Sequence, residues 1–329
     1  LHPKNQRFSE FALSKGKWRA ALCVIAISLL PITSAGQTLY WDANTAATAG
    51  AGATPTGVWR ASGGTGSSNR WNTSATGLGG TISKWTGTDA VFSAGTDATN
   101  AYTVTVTGAI NVSSINIEEG SPTFTSSTIT FNDASPDFTV AAGATATVNS
   151  GIAGTNGLNK LGAGTLIFGT SDKAYTGTTT ISAGILQLNF NQSFDTVNLA
   201  GGELLLNSAS TTITNLNVTA NSTIDFATAA TLTVTNLNLN GFTLTVQNWA
   251  NASDFFFATN WTGAVTDTPN AAPMNQVAFD GFAASDTKWM PYGAHEVTPV
   301  PEPSTYGALL LGALGGFFVW RRLVRRPTR

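Results

Sequence analysis

The side chains able to carry chemistry are few in this 329-residue sequence, and their spacing limits what each could do. Glu118 and Glu119 are adjacent, which in a strand sends the two carboxyls to opposite faces, so they do not read as an acid–base dyad. Asp133 with Asp137, and Asp280 with Asp286, offer the oxygen ligands that Ca²⁺ takes, but neither pair has calcium-loop spacing, and both read as loop acids. His295 is the one histidine beyond the N-terminal segment, and no Ser-His-Asp set is readable around it. Lys160 and Lys173 are the only basic residues between Lys84 and Lys288, too few for the groove of acids and bases that a polysaccharide lyase or hydrolase needs. Cys23 is the single cysteine and lies in an apolar run near the N-terminus; if that run is removed, disulfides and thiolate chemistry go with it. The expectation is a protein with no catalytic residue, no metal site and no cofactor. The enzyme alternative would need at least three carboxylates, distant in sequence, to converge in a groove.

The remaining chemistry is that of processing, and it sits at the two ends. Lys15, Lys17 and Arg19 precede an apolar run from Ala20 to Ile32, and Thr33, Ser34 and Ala35 then supply small residues. This is the pattern of a signal peptide over 1–35 with cleavage after Ala35, which makes signal peptidase and the general secretion machinery partners. Pro31 and the shortness of the run speak against a membrane-spanning helix there. At the other end Pro301, Glu302 and Pro303 precede an apolar helix predicted over 306–320, and Arg321, Arg322, Arg325 and Arg326 follow. Such a helix is about 22 Å long against a hydrocarbon core of about 30 Å. The arginines form a basic stop on the cytoplasmic side of the inner membrane, which puts residues 36–300 outside the cytoplasm.

Charge agrees with this division. Only 10% of residues are charged, and five basic residues precede residue 36 while five follow residue 300. The interval between them holds six basic and sixteen acidic residues. An acidic body of low charge is no nucleic-acid binder.

The elements between the two ends are strands. Tyr102 to Thr107 alternates Tyr, Thr, Val, Thr, Val, Thr, and Thr231 to Thr235 and Phe242 to Val246 alternate likewise, the period of a half-buried strand. A short unit recurs as Ile115-Asn116-Ile117, Val197-Asn198-Leu199, Leu216-Asn217-Val218 and Leu237-Asn238-Leu239, and its last three copies are almost evenly spaced. Their period, near 20, is that of a β-solenoid, whose coils are too small to bury their own apolar face and stack on one another. Over 102–246 this gives about seven coils; a β-sandwich is the competing arrangement.

Two segments go beyond pattern. Gly157-Leu158-Asn159-Lys160-Leu161-Gly162-Ala163-Gly164-Thr165-Leu166, then Tyr175-Thr176-Gly177-Thr178-Thr179, then Gly184-Ile185-Leu186 resemble the autotransporter-associated β-strand repeat over 157–188. The resemblance implies a right-handed parallel β-helix. The C-terminal tail, 299–329, closely resembles the PEP-CTERM sorting signal of Gram-negative bacteria, carried by Pro301, Glu302, Pro303, the Gly-rich apolar helix and the arginines. That resemblance implies recognition by an exosortase, processing near the Pro-Glu-Pro, and delivery to the cell surface, with an association with exopolysaccharide or biofilm matrix.

The expected architecture is therefore an all-β, right-handed parallel β-solenoid with a signal helix before it and a single transmembrane sorting helix after it. Residues 36–101, with Trp41, Trp59, Trp71 and Trp85, form an N-terminal module, and residues 247–298, rich in Phe and Trp, form a C-terminal cap. The expected function is a structural or adhesive surface protein, membrane-anchored as a precursor and then displayed or secreted. The alternatives are polysaccharide binding, in which tryptophan faces would be open to sugars, and polysaccharide degradation. The threonine alternations at Thr103, Thr105, Thr107 and at Thr231, Thr233, Thr235 also resemble the flat arrays of ice-binding solenoids, which would require them to share one face.

Overall fold

The structure is a computed structural model that describes residues 36–64, 68–170, 173–250, 253–264, 272–289 and 295–299. These all lie in the compact unit that begins at Gly36. The signal and sorting helices fall outside the described residues. Among those described there is no α-helix, only two short 3-10 turns, Met274–Gln276 and Ala284–Asp286.

The chain winds as a parallel β-solenoid. One coil illustrates it: Leu158–Leu161 lies in a first sheet and Thr165–Phe168 in a second, and the next coil returns with Thr178–Ile181 to the first and Ile185–Leu188 to the second. Neighbours from coil to coil run parallel in both sheets, which excludes the β-sandwich with its antiparallel hairpins. From Asp89–Phe92 to Phe255–Trp261 nine strands of the first sheet follow one another in parallel, making eight turns. The coils are unequal in length: the step from Thr178 to its register partner Thr196 is shorter along the chain than the step from Asp89 to Ser114. Parallel pairing extends to both sides of 102–246, from Thr38–Trp41 at one end to Phe255–Trp261 and Val277–Phe279 at the other. Those flanking strands carry the same inward apolar alternation, Leu39 with Trp41 and Phe256 with Ala258.

Because alternate residues face inward, each inward position becomes a column through the core. Ala90, Ile115, Phe138, Lys160, Ile181, Leu199 and Val218 form one such column. Leu166, Leu186, Leu204, Ile224, Val246 and Phe279 form another on the second sheet. The core is continuous from Leu39 to Val297. Corners between sheets need backbone that side chains resist: Gly162 has φ +72° and Gly157 φ +80°, and a Cβ on either would run into a carbonyl of the adjacent coil.

The coil changes cross-section along its length. A third, three-stranded sheet, Ile110–Val112, Ile129–Phe131 and Ile152–Ala153, serves the early coils. Later coils replace it with long strands that bend. In Gln192–Ala200, Ser210–Ala220, Thr231–Asn238 and Phe255–Trp261 the alternation slips at a shared position, leaving two successive residues outward. The slips, at Asp195-Thr196, Thr214-Asn215, Thr235-Asn236 and Thr259-Asn260, stack into one corner.

Candidate functional site

Each residue singled out by chemistry has an identifiable place. Lys160 is fully buried in the inward column between Phe138 and Ile181. Its Nζ donates to the carbonyls of Leu161 at 2.9 Å, Gly162 at 2.8 Å and, one coil on, Ala183 at 3.0 Å. Burial pulls its ammonium from 10.5 down to about 8. Lys160 thus ties two corners together, and its three donors are all taken by main chain. Lys173 is also buried, donating to the Ser150 carbonyl at 2.8 Å with its Nζ 5.8 Å from the Phe168 ring centre.

The acids are dispersed into local bonds. Glu119 accepts from Ser93 Oγ at 2.8 Å and Glu118 from Asn116 Nδ2 at 3.1 Å. Burial, and then the charge of Glu119, raise the pKa of Glu118. Asp133 accepts from the Ser135 amide, Asp137 from Asn159, and Asp286 from the Ala283 amide and Ser285. Asp280 makes no side-chain bond among the described residues. One close pair escaped the sequence reading: Glu203 and Asp225 lie on adjacent strands of the second sheet, and burial and then Asp225 raise the pKa of Glu203. A full coil of chain separates the two, so only the register of the coil reveals them. Among the described residues no group of three or more His, Cys, Asp or Glu is placed to hold a metal ion. His295 packs on Trp289, ring centres 5.3 Å apart, and its carbonyl accepts from the Ala258 amide.

The tryptophans bear on the sugar-binding alternative. Trp41, Trp59 and Trp71 have no exposed surface, and Trp85, Trp261 and Trp289 are also buried. Trp41, Trp59, Trp71 and Trp85 pack edge-to-face or tilted on one another and on Phe92, with ring centres 4.6 to 5.5 Å apart. Each contact of this kind adds to the area its ring buries. Their faces are core, not open sugar platforms: they pack over the interior of the first described coil. The antiparallel strand Trp71–Asn72 adds a lid beside Thr38–Trp41.

The polar exterior is organised by the same columns. The recurrent apolar-Asn-apolar unit turns its apolar pair inward and its asparagine outward. Asn198, Asn217 and Asn238 share a column, while Asn116 falls in a different one. At the corner, Asn236 donates to Asn215 at 2.9 Å and Asn260 to Asn236 at 3.0 Å. The two threonine alternations lie on different sheets, Thr103 to Thr107 on the second and Thr231 to Thr235 on the first, so they form no single flat array. Ala35, Pro301, Glu302, Pro303, Arg321, Arg322, Arg325 and Arg326 lie outside the described residues.

Comparison with known proteins bears on both resemblances. The family model for a passenger-associated-transport-repeat matches residues 158–188, the coil that holds Lys160. The model for a PEP-CTERM protein-sorting motif matches residues 299–326. The chain is 31% identical over 182 residues, 54% of its length, to the adhesin BmaC autotransporter of Brucella suis biovar 1 (strain 1330). That stretch covers 5% of the adhesin's own length. No solved structure matches. The chain therefore carries a PEP-CTERM sorting motif and an autotransporter-type repeat on a parallel β-solenoid, the marks of an exported, surface-associated protein.

Proposed function

We propose that this protein is an adhesive or structural β-solenoid, without enzymatic activity, that is exported as a membrane-anchored precursor and sorted to the cell surface by an exosortase. In this reading signal peptidase removes residues 1–35 after Ala35. The segment 306–320 then holds the precursor in the inner membrane with Arg321, Arg322, Arg325 and Arg326 on the cytoplasmic side, until processing near Pro301, Glu302 and Pro303 frees the body. Its destination is the exopolysaccharide of the envelope or matrix. The observation that carries the reading is the joining, in one chain, of a sorting motif at 299–326 to a solenoid whose matched coil is of the passenger type. A rigid stack presenting polar columns suits adhesion, since the outward residues of neighbouring coils line up along it.

The test is the intact mass of the protein recovered from the surface and medium of its own host. Loss of residues 1–35 and of everything beyond about Pro303 is the expected result. A mass that still includes the apolar segment and the arginines would overturn the sorting step and leave a simple membrane-anchored β protein.

A further inference from the structure

The bent strands Gln192–Ala200, Ser210–Ala220, Thr231–Asn238 and Phe255–Trp261 stack in register, and their first halves form a face of their own ahead of the corner. Two outward rows cross it. One runs Ser193, Thr212, Thr233, Phe257, and the other Ser210, Thr231, Phe255. With strands about 4.8 Å apart and alternate residues about 6.6 Å apart along each strand, the rows form a regular lattice. The neighbouring asparagine ladder closes on itself, yet the hydroxyls of Ser193, Ser210, Thr212, Thr231 and Thr233 have no hydrogen-bond partner among the described residues. Both rows then end in aromatic rings. Phe255 and Phe257 stand nearly parallel, 12° between planes and 5.9 Å between centres, and both stay partly open to solvent. They occupy outward positions that threonines hold one coil earlier, so the core does not account for them. Phe190, two residues before the first of these strands, is 43% exposed.

We propose that this face binds an uncharged polysaccharide chain laid along the coil stack, an inference that rests on the adhesive reading and names its partner. A sugar unit offers C–H groups to a ring face and hydroxyls to hydroxyls, and a polymer that repeats suits a lattice that repeats. Neither row contains a cation. Asp195 at the corner and Glu296, bridged to Phe257, are acids beside the face, so an anionic polymer meets repulsion.

The test is electrophoresis of the full chain through native gels containing hydroxyethyl cellulose, amylose or alginate. Retardation is expected in a neutral gel and not in alginate. Phe255→Ala combined with Phe257→Ala should weaken it at least tenfold. Thr212→Lys, an exposed change that leaves the rings in place, should do the same without lowering the unfolding temperature. Thr103→Lys, on the second sheet, should leave retardation unchanged. Absence of retardation in both neutral gels, stronger retardation in alginate, or retardation indifferent to the face variants would overturn the proposal. Gel binding does not depend on export. A retarded chain that never reaches the surface keeps this inference and sinks the surface reading, and a displayed chain that is not retarded does the reverse.

Discussion

Lys160 holds the place in its inward column that Phe138 holds one coil earlier and Ile181 one coil later. What makes a cation tolerable there is a cage of three carbonyls at the corner, and Lys160→Ala, which empties the cage, should cost about 2–4 kcal/mol in urea unfolding at pH 7. Its pKa falls from 10.5 in the unfolded chain to about 8 in the folded one, so between those values the unfolded chain binds more protons. Stability should rise as pH climbs from about 8 towards 10.5, and Lys160→Ala should flatten that rise. An equal slope in both proteins would contradict the assignment. Gly157 is constrained more simply: at φ +80°, with the Thr178 carbonyl where a Cβ would go, Gly157→Ala should lower stability by about 1–3 kcal/mol. A neutral result by the same unfolding measurement would mean the corner relaxes.

At the scale of the element, the bent strands do two jobs with one sequence device. The slip of alternation turns the strand at a corner, and in three of the four strands its second residue is an asparagine, Asn215, Asn236 or Asn260, that joins a ladder along it. Asn236 is central to that ladder, donating to Asn215 and accepting from Asn260. Asn236→Asp removes the donor and sets a carboxylate against the Asn215 carbonyl oxygen, with an expected loss of about 1–3 kcal/mol. Thr212→Val, on the adjoining face with no bond to lose, should stay within about 0.5 kcal/mol of the parent. Thermal unfolding of the two variants side by side separates ladder from surface.

For the whole solenoid, stability should behave as a sum over coils and their interfaces. Thr178 and Thr196 are register partners, so deleting residues 178–195 removes one coil and joins Gly177 to Thr196 in the same register. That shortened chain should keep its β circular dichroism and cooperative unfolding. Deleting residues 178–186 instead breaks both ladders and should leave a protease-sensitive chain. If both deletions were tolerated alike, the coil would not be the unit of this fold.

Much of this was legible in the sequence because the coil is local. Period-two alternation fixes which side chains face inward, and the spacing of Val197, Leu216 and Leu237 reports the coil length directly, so the β-solenoid could be read without coordinates. The motifs at the matched coil and at the tail are likewise contiguous runs of residues. What the sequence did not display is whatever depends on which residues share a column. The burial of the tryptophans, the pairing of Glu203 with Asp225, the separation of the two threonine alternations onto different sheets and the hydroxyl rows that end at Phe255 and Phe257 are all of this kind. Coil length changes along the chain, as the steps from Asp89 to Ser114 and from Thr178 to Thr196 show, so no fixed period predicts the neighbours of a given side chain. Register is set by the packing of the core and the bends at the corners, and only the folded chain supplies it.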